Sequence, residues 1–384
     1  MFKIFYADKD ASLYEGAPTC NTGIDQILEI GKRYGDDGTT LYKTRSVIKF
    51  NNIQVSASLA KYNKSVNDCK FLLKLYTTNA TSLPKSYTIT ANVLAQDWDH
   101  GIGYFNYDSI VEDAVCWDYP ITGSTWISSS QNIQFGSSSF YISGSGGGGS
   151  WLYDPSGSSV ELSYYDQSFS IENGLTTVVS ESLQPTDIHL DVTDAMKMWI
   201  SGSGGVSIPN YGFLLRFSDN DESGVHPGVL RYFSKDSNTI YVPRLIMYWD
   251  NSTFTTGSLA AANTESYVVY CDIKPQYKDT EVAKIRIYSR DKYPRKSPTN
   301  LFPYQTVKYL PSSSYYTVLD AATDETLIPY DNIYTKISCD STSNFIHLDF
   351  NGFMPERYYR LEFKIVDGIT EQYVTDSVYF KVVR

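Results

Sequence analysis

Two groups of side chains in this 384-residue sequence have the residue types from which a site could be built. The first is Trp98, Trp117, Trp126 and Trp151, four of the six tryptophans, gathered in one stretch. Sugars stack their C–H faces on indole rings, and exposed indoles anchor protein interfaces equally well. Core packing is the third use of such rings, because tryptophan is highly buried on average. The second group is "SDNDES", Ser218 to Ser223, where Asp219, Asp221 and Glu222 put oxygen donors of the calcium-binding kind into one turn with Asn220. It lacks the ligand spacing of an EF-hand, so a solvated turn accounts for it as well. Calcium there is the one ion the sequence offers, and no other cofactor is expected.

Other chemistry leaves little trace. The four histidines are dispersed: His189 and His347 on the polar sides of strands, His100 and His226 in loops. No two stand at helical metal spacing, and no H-E-x-x-H or G-x-S-x-G occurs. The 43 acidic residues supply many carboxylate pairs of the kind glycoside hydrolysis uses, but there the separation decides. "GSGGGGS", Gly144 to Ser150, ends without the Lys-Ser or Lys-Thr of a phosphate cradle, and between Tyr141 and Trp151 it reads as a long loop. No catalytic residue is assigned, and the chain is expected not to be an enzyme.

The elements that would position these residues are strands. "RSVIKF", "KFLLKLYT", "SYTITANVL", "YGFLLRFS" and "VPRLIMYWD" alternate with period two and predict half-buried strands of a first β-sandwich. Between about Asp97 and Thr176 the pattern loosens. Asp250 to Ser266 is small, polar and unpatterned, which places a boundary near Ala262 and predicts domains 1–261 and 262–384. Beyond it "YVVYCDI", "AKIRIYS", "FIHLDF", "YYRLEFKIV" and "SVYFKVV" predict an immunoglobulin-like β-sandwich.

Composition bounds the partners. Before Glu265 there are 17 Lys+Arg against 27 Asp+Glu, and from Glu265 onward 15 against 16, so the acidity sits in the first part. Nucleic acid is disfavoured, since its binding rests on cationic neutralisation of phosphates. "RDKYPRKSP", Arg290 to Pro298, is the one basic run, able to dock on an acidic surface such as the first domain of a neighbouring copy. No run approaches the roughly 18 apolar residues of a membrane span. The opening "MFKIFYADKD" lacks the apolar core of a secretory signal, so a soluble product made without export is expected. Five widely spaced cysteines without C-x-x-C read as reduced packing thiols. Thirty-three tyrosines fit either ordinary pleated surface or a binding surface with little rotamer entropy to lose.

One segment breaks the alternation. "DVTDAMKMWISG" predicts a single short helix after the strand "DIHL": Thr193 is the expected N-cap, Asp194 favours the positive dipole end, and Gly202 supplies the stop. Val192, Ala195, Met196 and Trp199 form one apolar stripe. The helix is expected to plug an open end or edge of the sandwich, with Trp199 inward.

That segment, followed by "NYGFLLRF", "RYFSKDSN" and "VPRLIMYW", resembles the DNRLRE-type domain, a jelly-roll module similar to carbohydrate-binding modules. In the family an Asp-Val-Thr helix carrying a Trp precedes an Asn-x-Gly strand, a Phe-x-Ser turn and a Pro-x-Leu final strand. "DASLYEGAPTCNTGIDQILEIGK", "KTRSVIKF", "DWDHG", "GSTW" and "SWLY" resemble its earlier segments in the same order, from Tyr6 to Trp249. The middle is longer and richer in Gly and Ser than the module usually is. The resemblance implies an all-β fold, a jelly-roll sandwich with one short capping helix (Asp191, Thr193, Trp199), followed by the Ig-like sandwich. It further implies a structural protein of a tailed-bacteriophage virion, in the neck, tail, baseplate or as decoration, assembled in the host cytoplasm. Its expected partners are other virion proteins, homo-oligomeric or ring-associated copies and a surface glycan, with no nucleic acid and no membrane insertion. A carbohydrate-binding module of a cellular protein and a polysaccharide depolymerase are the alternatives.

Overall fold

The computed structural model describes residues 1–84, 86–105, 114–128, 132–135, 138–144, 146–153, 165–170, 187–201, 208–250, 267–367 and 370–384. They form a predominantly β-sheet protein with five sheets and a few short helices. Two units divide them: Ile4–Met247, and Met1–Lys3 with Tyr248–Arg384. The boundary expected near Ala262 lies outside the described residues.

The chain opens with strands β1 (Phe2–Tyr6, its first two residues assigned to the other unit), β2 (Lys9–Tyr14), β3 (Ile27–Tyr34) and β4 (Leu41–Lys49), then helix α1 (Asn52–Lys61). Next come β5 (Cys69–Leu75), β6 (Thr77–Thr81), β7 (Ser86–Val93), β8 (Asn132–Phe135), β9 (Ser138–Ser143), β10 (Trp151–Tyr153) and β11 (Tyr165–Ser170). Then come β12 (Ile188–Asp191), α2 (Thr193–Ser201), β13 (Phe213–Phe217), α3 (Asp219–Ser223), β14 (Gly228–Phe233) and β15 (Arg244–Trp249), whose last two residues are assigned to the other unit. An eight-stranded sheet runs β11-β7-β13-β4-β3-β14-β6, with β2 added on β4; a four-stranded sheet runs β1-β15-β5-β12, and β10-β9-β8 form a small third.

The alternating segments are strands, but not all are half-buried. β15 is buried at every position and β5 at five of seven, because apolar residues such as Leu72 and Ile246 fill the second face as well. Continuous burial of this kind belongs to strands covered on both sides.

Helix α2 forms where expected, with Val192, Ala195, Met196 and Trp199 all buried and the Trp199 ring 4.8 Å from Phe213 of β13. Its cap differs from the expectation. Asp191 Oδ1 accepts from the Thr193 amide (3.1 Å), while the Thr193 hydroxyl accepts the Phe71 amide of β5 (2.9 Å). Thr193 therefore ties the helix to one sheet, and Trp199 packs it on a strand of another. The expected stop at Gly202 lies outside the described residues. Thr193→Val keeps the shape but leaves the buried Phe71 N–H without an acceptor, so it is expected to lower stability by about 1–2 kcal/mol, read from the denaturant midpoint.

The single-helix expectation is corrected: α1 and α3 are also present. Asn51 caps α1 by accepting the Ile53 amide, and only Val55 and Leu59, four residues apart, are buried. A two-residue stripe in "NIQVSASLAK" is too narrow to stand out as an amphipathic pattern.

The second unit comprises β16 (Tyr267–Asp272), β17 (Gln276–Lys278), β18 (Val282–Asp291), β19 (Ser313–Asp320), β20 (Thr326–Ile328), β21 (Ser338–Cys339), β22 (Asn344–Asp349), β23 (Tyr358–Asp367) and β24 (Thr370–Val383). They build a four-stranded sheet, β16-β18-β22-β21, and a five-stranded one, β17-β24-β23-β19-β20. Tyr359, Leu361, Phe363 and Ile365 of β23 point inward and alternate with Tyr358, Arg360, Glu362 and Lys364, as the period-two pattern requires. Tyr277, Phe350, Phe353, Tyr359 and Phe380 form an aromatic cluster in its core.

Candidate functional site

Trp98, Trp117, Trp126 and Trp151 are brought together, but as core. All four are buried, packed with Ala11, Leu13, Val47, Leu94, Val115 and Leu214. The Nε1–H groups of Trp98 and Trp126 donate to the carbonyls of Tyr211 (2.9 Å) and Cys116 (3.1 Å). The faces a sugar would need are met by the chain's own cations: Lys9 over Trp98, Arg45 over Trp117 and Trp151, and Arg216 over Trp151 at 4.3 Å. The glycine loop completes the enclosure. Gly148 adopts φ +71° with its Cα against Trp117, where an added Cβ would come within 2.7 Å of the ring.

The acidic turn is likewise engaged in contacts within the protein. Ser218–Ser223 contains the short helix α3, capped by Ser218. Glu222 takes Arg45 in a two-pronged bond (2.8 and 2.7 Å) and lies 3.5 Å from Arg216. Asp219 accepts from Arg216 (2.6 Å), and Asp221 accepts the Thr88 amide (2.9 Å) and the Ser218 hydroxyl (2.5 Å). Arg45 also donates to the Gly148 carbonyl (2.7 Å), so the turn, the glycine loop and the tryptophan cluster are one structural unit. Glu222, set between two buried guanidinium groups, neutralises charge inside the protein.

A different cluster does offer unsatisfied donor atoms. Asp10 on β2, His100 in the loop after Trp98, and Asp236 in the turn after β14 each place one ligand atom within 4.8 Å of the others. Asp10 is 1% exposed; its Oδ2 accepts the Lys235 amide (2.8 Å), while Oδ1 has no hydrogen-bond partner. His100 Nε2 and Asp236 Oδ2, 3.7 Å apart, are also buried atoms without a hydrogen-bond partner. Burial pushes the Asp10 carboxyl up to about 7, the Lys235 amide opposes the rise, and the Asp236 charge adds to it. Burial and the Lys235 charge lower the His100 imidazole, favouring the neutral ring that can ligate.

The backbone around these three residues is fixed. Asn21, fully buried, donates to the His100 and Val115 carbonyls (3.0 and 2.8 Å) and accepts from Gly23 and Gly103 (3.2 and 2.8 Å). The Asp236 amide donates to Ser234 Oγ (3.1 Å), and the Ser234 hydroxyl donates to the Asp25 carbonyl. A preorganised trio of one imidazole and two carboxylates can hold a cation or share a proton. In the sequence His100 is a loop histidine, and neither Asp10 nor Asp236 stands out. The remaining histidines stay apart: His189 and His226 are exposed and His347 is half-buried.

Comparisons with known protein families, with characterised proteins and with solved structures return no match. No helix among the described residues is long and apolar enough to cross a membrane.

Proposed function

We propose that this chain is a structural component of a tailed-bacteriophage virion, a neck, tail, baseplate or decoration protein, acting through contacts with other virion proteins and carrying out no reaction. The ordered resemblance to the DNRLRE-type domain supports this reading, and with it a jelly-roll sandwich in the first unit and an Ig-like sandwich in the second. The observation that carries the contact role is the segment from Asp291 to Gln305 of the second unit. Tyr293, Leu301, Phe302 and Tyr304 are exposed there, beside the exposed cations Lys292, Arg295 and Lys296. Large apolar groups rimmed by charge make contact area that water does not favour leaving open. Tyrosine continues this character onto the sheet faces, with Tyr270 stacked on Tyr288 and with Tyr358, Tyr373 and Tyr379 exposed. Basic charge here and excess acid in the first part of the chain favour docking between copies or onto an acidic ring.

Mass spectrometry of purified particles, compared with the crude lysate, tests the assignment. The polypeptide is expected at stoichiometric abundance in particles, and Tyr293→Ser combined with Phe302→Ser and Tyr304→Ser is expected to reduce its incorporation while leaving its fold intact. Presence in the lysate alone would refute the virion role. Glycan-array binding by the purified chain would point instead to the carbohydrate-binding module, and cleavage of a polysaccharide to the depolymerase. The buried tryptophans withdraw the stacking platform on which the glycan reading stood.

A further inference from the structure

We propose that Asp10, His100 and Asp236 form a binding site for one divalent transition-metal ion of the zinc class. The donors are of the right kind: one imidazole nitrogen and two carboxylate oxygens suit zinc, manganese or cobalt, whereas calcium takes oxygen ligands and six or more of them. They are also left over by the fold. Buried polar atoms are nearly always hydrogen-bonded, yet Asp10 Oδ1, His100 Nε2 and Asp236 Oδ2 have no hydrogen bond here, the last facing the Lys235 ammonium at 3.1 Å. Asp10, at 1% exposure, has nothing else on which to use Oδ1.

The geometry needs only a small contraction. Ligands about 2.0–2.1 Å from a tetrahedral ion stand about 3.3 Å from each other. His100 Nε2 and Asp236 Oδ2 are already 3.7 Å apart, and no pair of the three ligand atoms exceeds 4.8 Å. The three ligand atoms are buried, while the side chains of His100 and Asp236 are 22% and 30% exposed beside the buried Asp10. The groups around the ligands hold them in place. The Lys235 amide fixes Asp10 Oδ2, and the Lys235 ammonium lies against the Asp236 carboxylate, 3.3 Å from Oδ1. That ammonium also lies 3.1 Å from Asp236 Oδ2, and Lys9 is a second nearby cation, opposed by Asp8. Two positive neighbours weaken an ion's hold, so micromolar rather than nanomolar affinity is expected. The bound ion would join strand β2, the loop after Trp98 and the turn after β14, segments far apart in the chain, and so staple one end of the first unit.

The full-length chain, stripped with chelator, is titrated calorimetrically with Zn²⁺, and with Mn²⁺ and Ca²⁺ as probes of class, alongside thermal unfolding. Expected are one Zn²⁺ per chain, a raised midpoint, and at least roughly tenfold weaker binding in His100→Asn and in Asp236→Asn. Both side chains are partly exposed, and circular dichroism checks that the variants fold. Absence of saturable Zn²⁺ binding would overturn the proposal, as would unchanged affinity in both variants, which would locate the ion at thiols or elsewhere. Calcium binding without zinc binding would overturn the metal class.

Discussion

Glu222→Ala is expected to lower the stability of the first unit by about 3–5 kcal/mol, a fall of roughly 10 °C in its unfolding midpoint. The side chains of Glu222, Arg45 and Arg216 are respectively 8%, 7% and 4% exposed, so removing the one carboxylate between them strands two guanidinium groups where water cannot compensate. Arg45 keeps its bond to the Gly148 carbonyl and its place over Trp117 and Trp151, and Arg216 keeps Asn92 and Asp219. Those contacts orient the cations without neutralising both. Glu222→Gln retains the volume and one acceptor, and should lose less than the alanine variant. Asp219→Asn supplies the contrast: its side chain is 85% exposed, and solvent screening limits an ion pair there to at most about 1 kcal/mol. Millimolar calcium is expected to leave the wild-type midpoint in place. A calcium-induced rise that Glu222→Gln abolishes would return these carboxylates to metal binding.

The same network shows what could be read from the chain and what could not. Strands whose two faces differ, such as β23 with Leu361, Phe363 and Ile365 against Arg360, Glu362 and Lys364, declare themselves by alternation. So does α2, whose stripe is four residues long with an indole at its end. Strands buried on both faces are misjudged in degree: "RLIMYW" alternates in sequence, yet every residue of it is inside. Helix α1 is not announced, since its polar residues hide a stripe of two. The site residues fail for a different reason. Glu222 reads as a solvated acid because its partner Arg45 is 177 residues away, and Asp10, His100 and Asp236 meet from three separate segments. Periodicity is a local signal and carries no information on long-range pairing. What was visible is the segmentation: "DASLYEG", "DWDHG" and "RYFSKDSN" hold one member of the trio apiece.

Metal-free protein is expected to lose stability between pH 5 and pH 8, with Asp10 the cause of about 2–3 kcal/mol of that loss. Burial lifts its carboxyl from 3.8 in the ordinary case to about 7 in the folded chain. Between those values the folded state binds a proton that the unfolded state has released, so the contribution is complete below the lower value and vanishes as pH rises through the upper one. Above pH 7 the fold carries a buried carboxylate whose one hydrogen bond, from the Lys235 amide, does not replace its lost hydration. Asp10→Asn keeps an acceptor for that amide and cannot ionise, so the difference between variant and wild type, followed by urea unfolding at several pH values, isolates this one group. The variant should gain on the wild type as pH rises, most steeply between about pH 5 and 6 and levelling off above 7, and parallel curves would refute the assignment. A divalent ion at the trio would supply the missing countercharge. Added zinc should therefore recover stability in the wild type at pH 8 and leave Asp10→Asn nearly unmoved, which links the cost of burying Asp10 to the use the fold has for it.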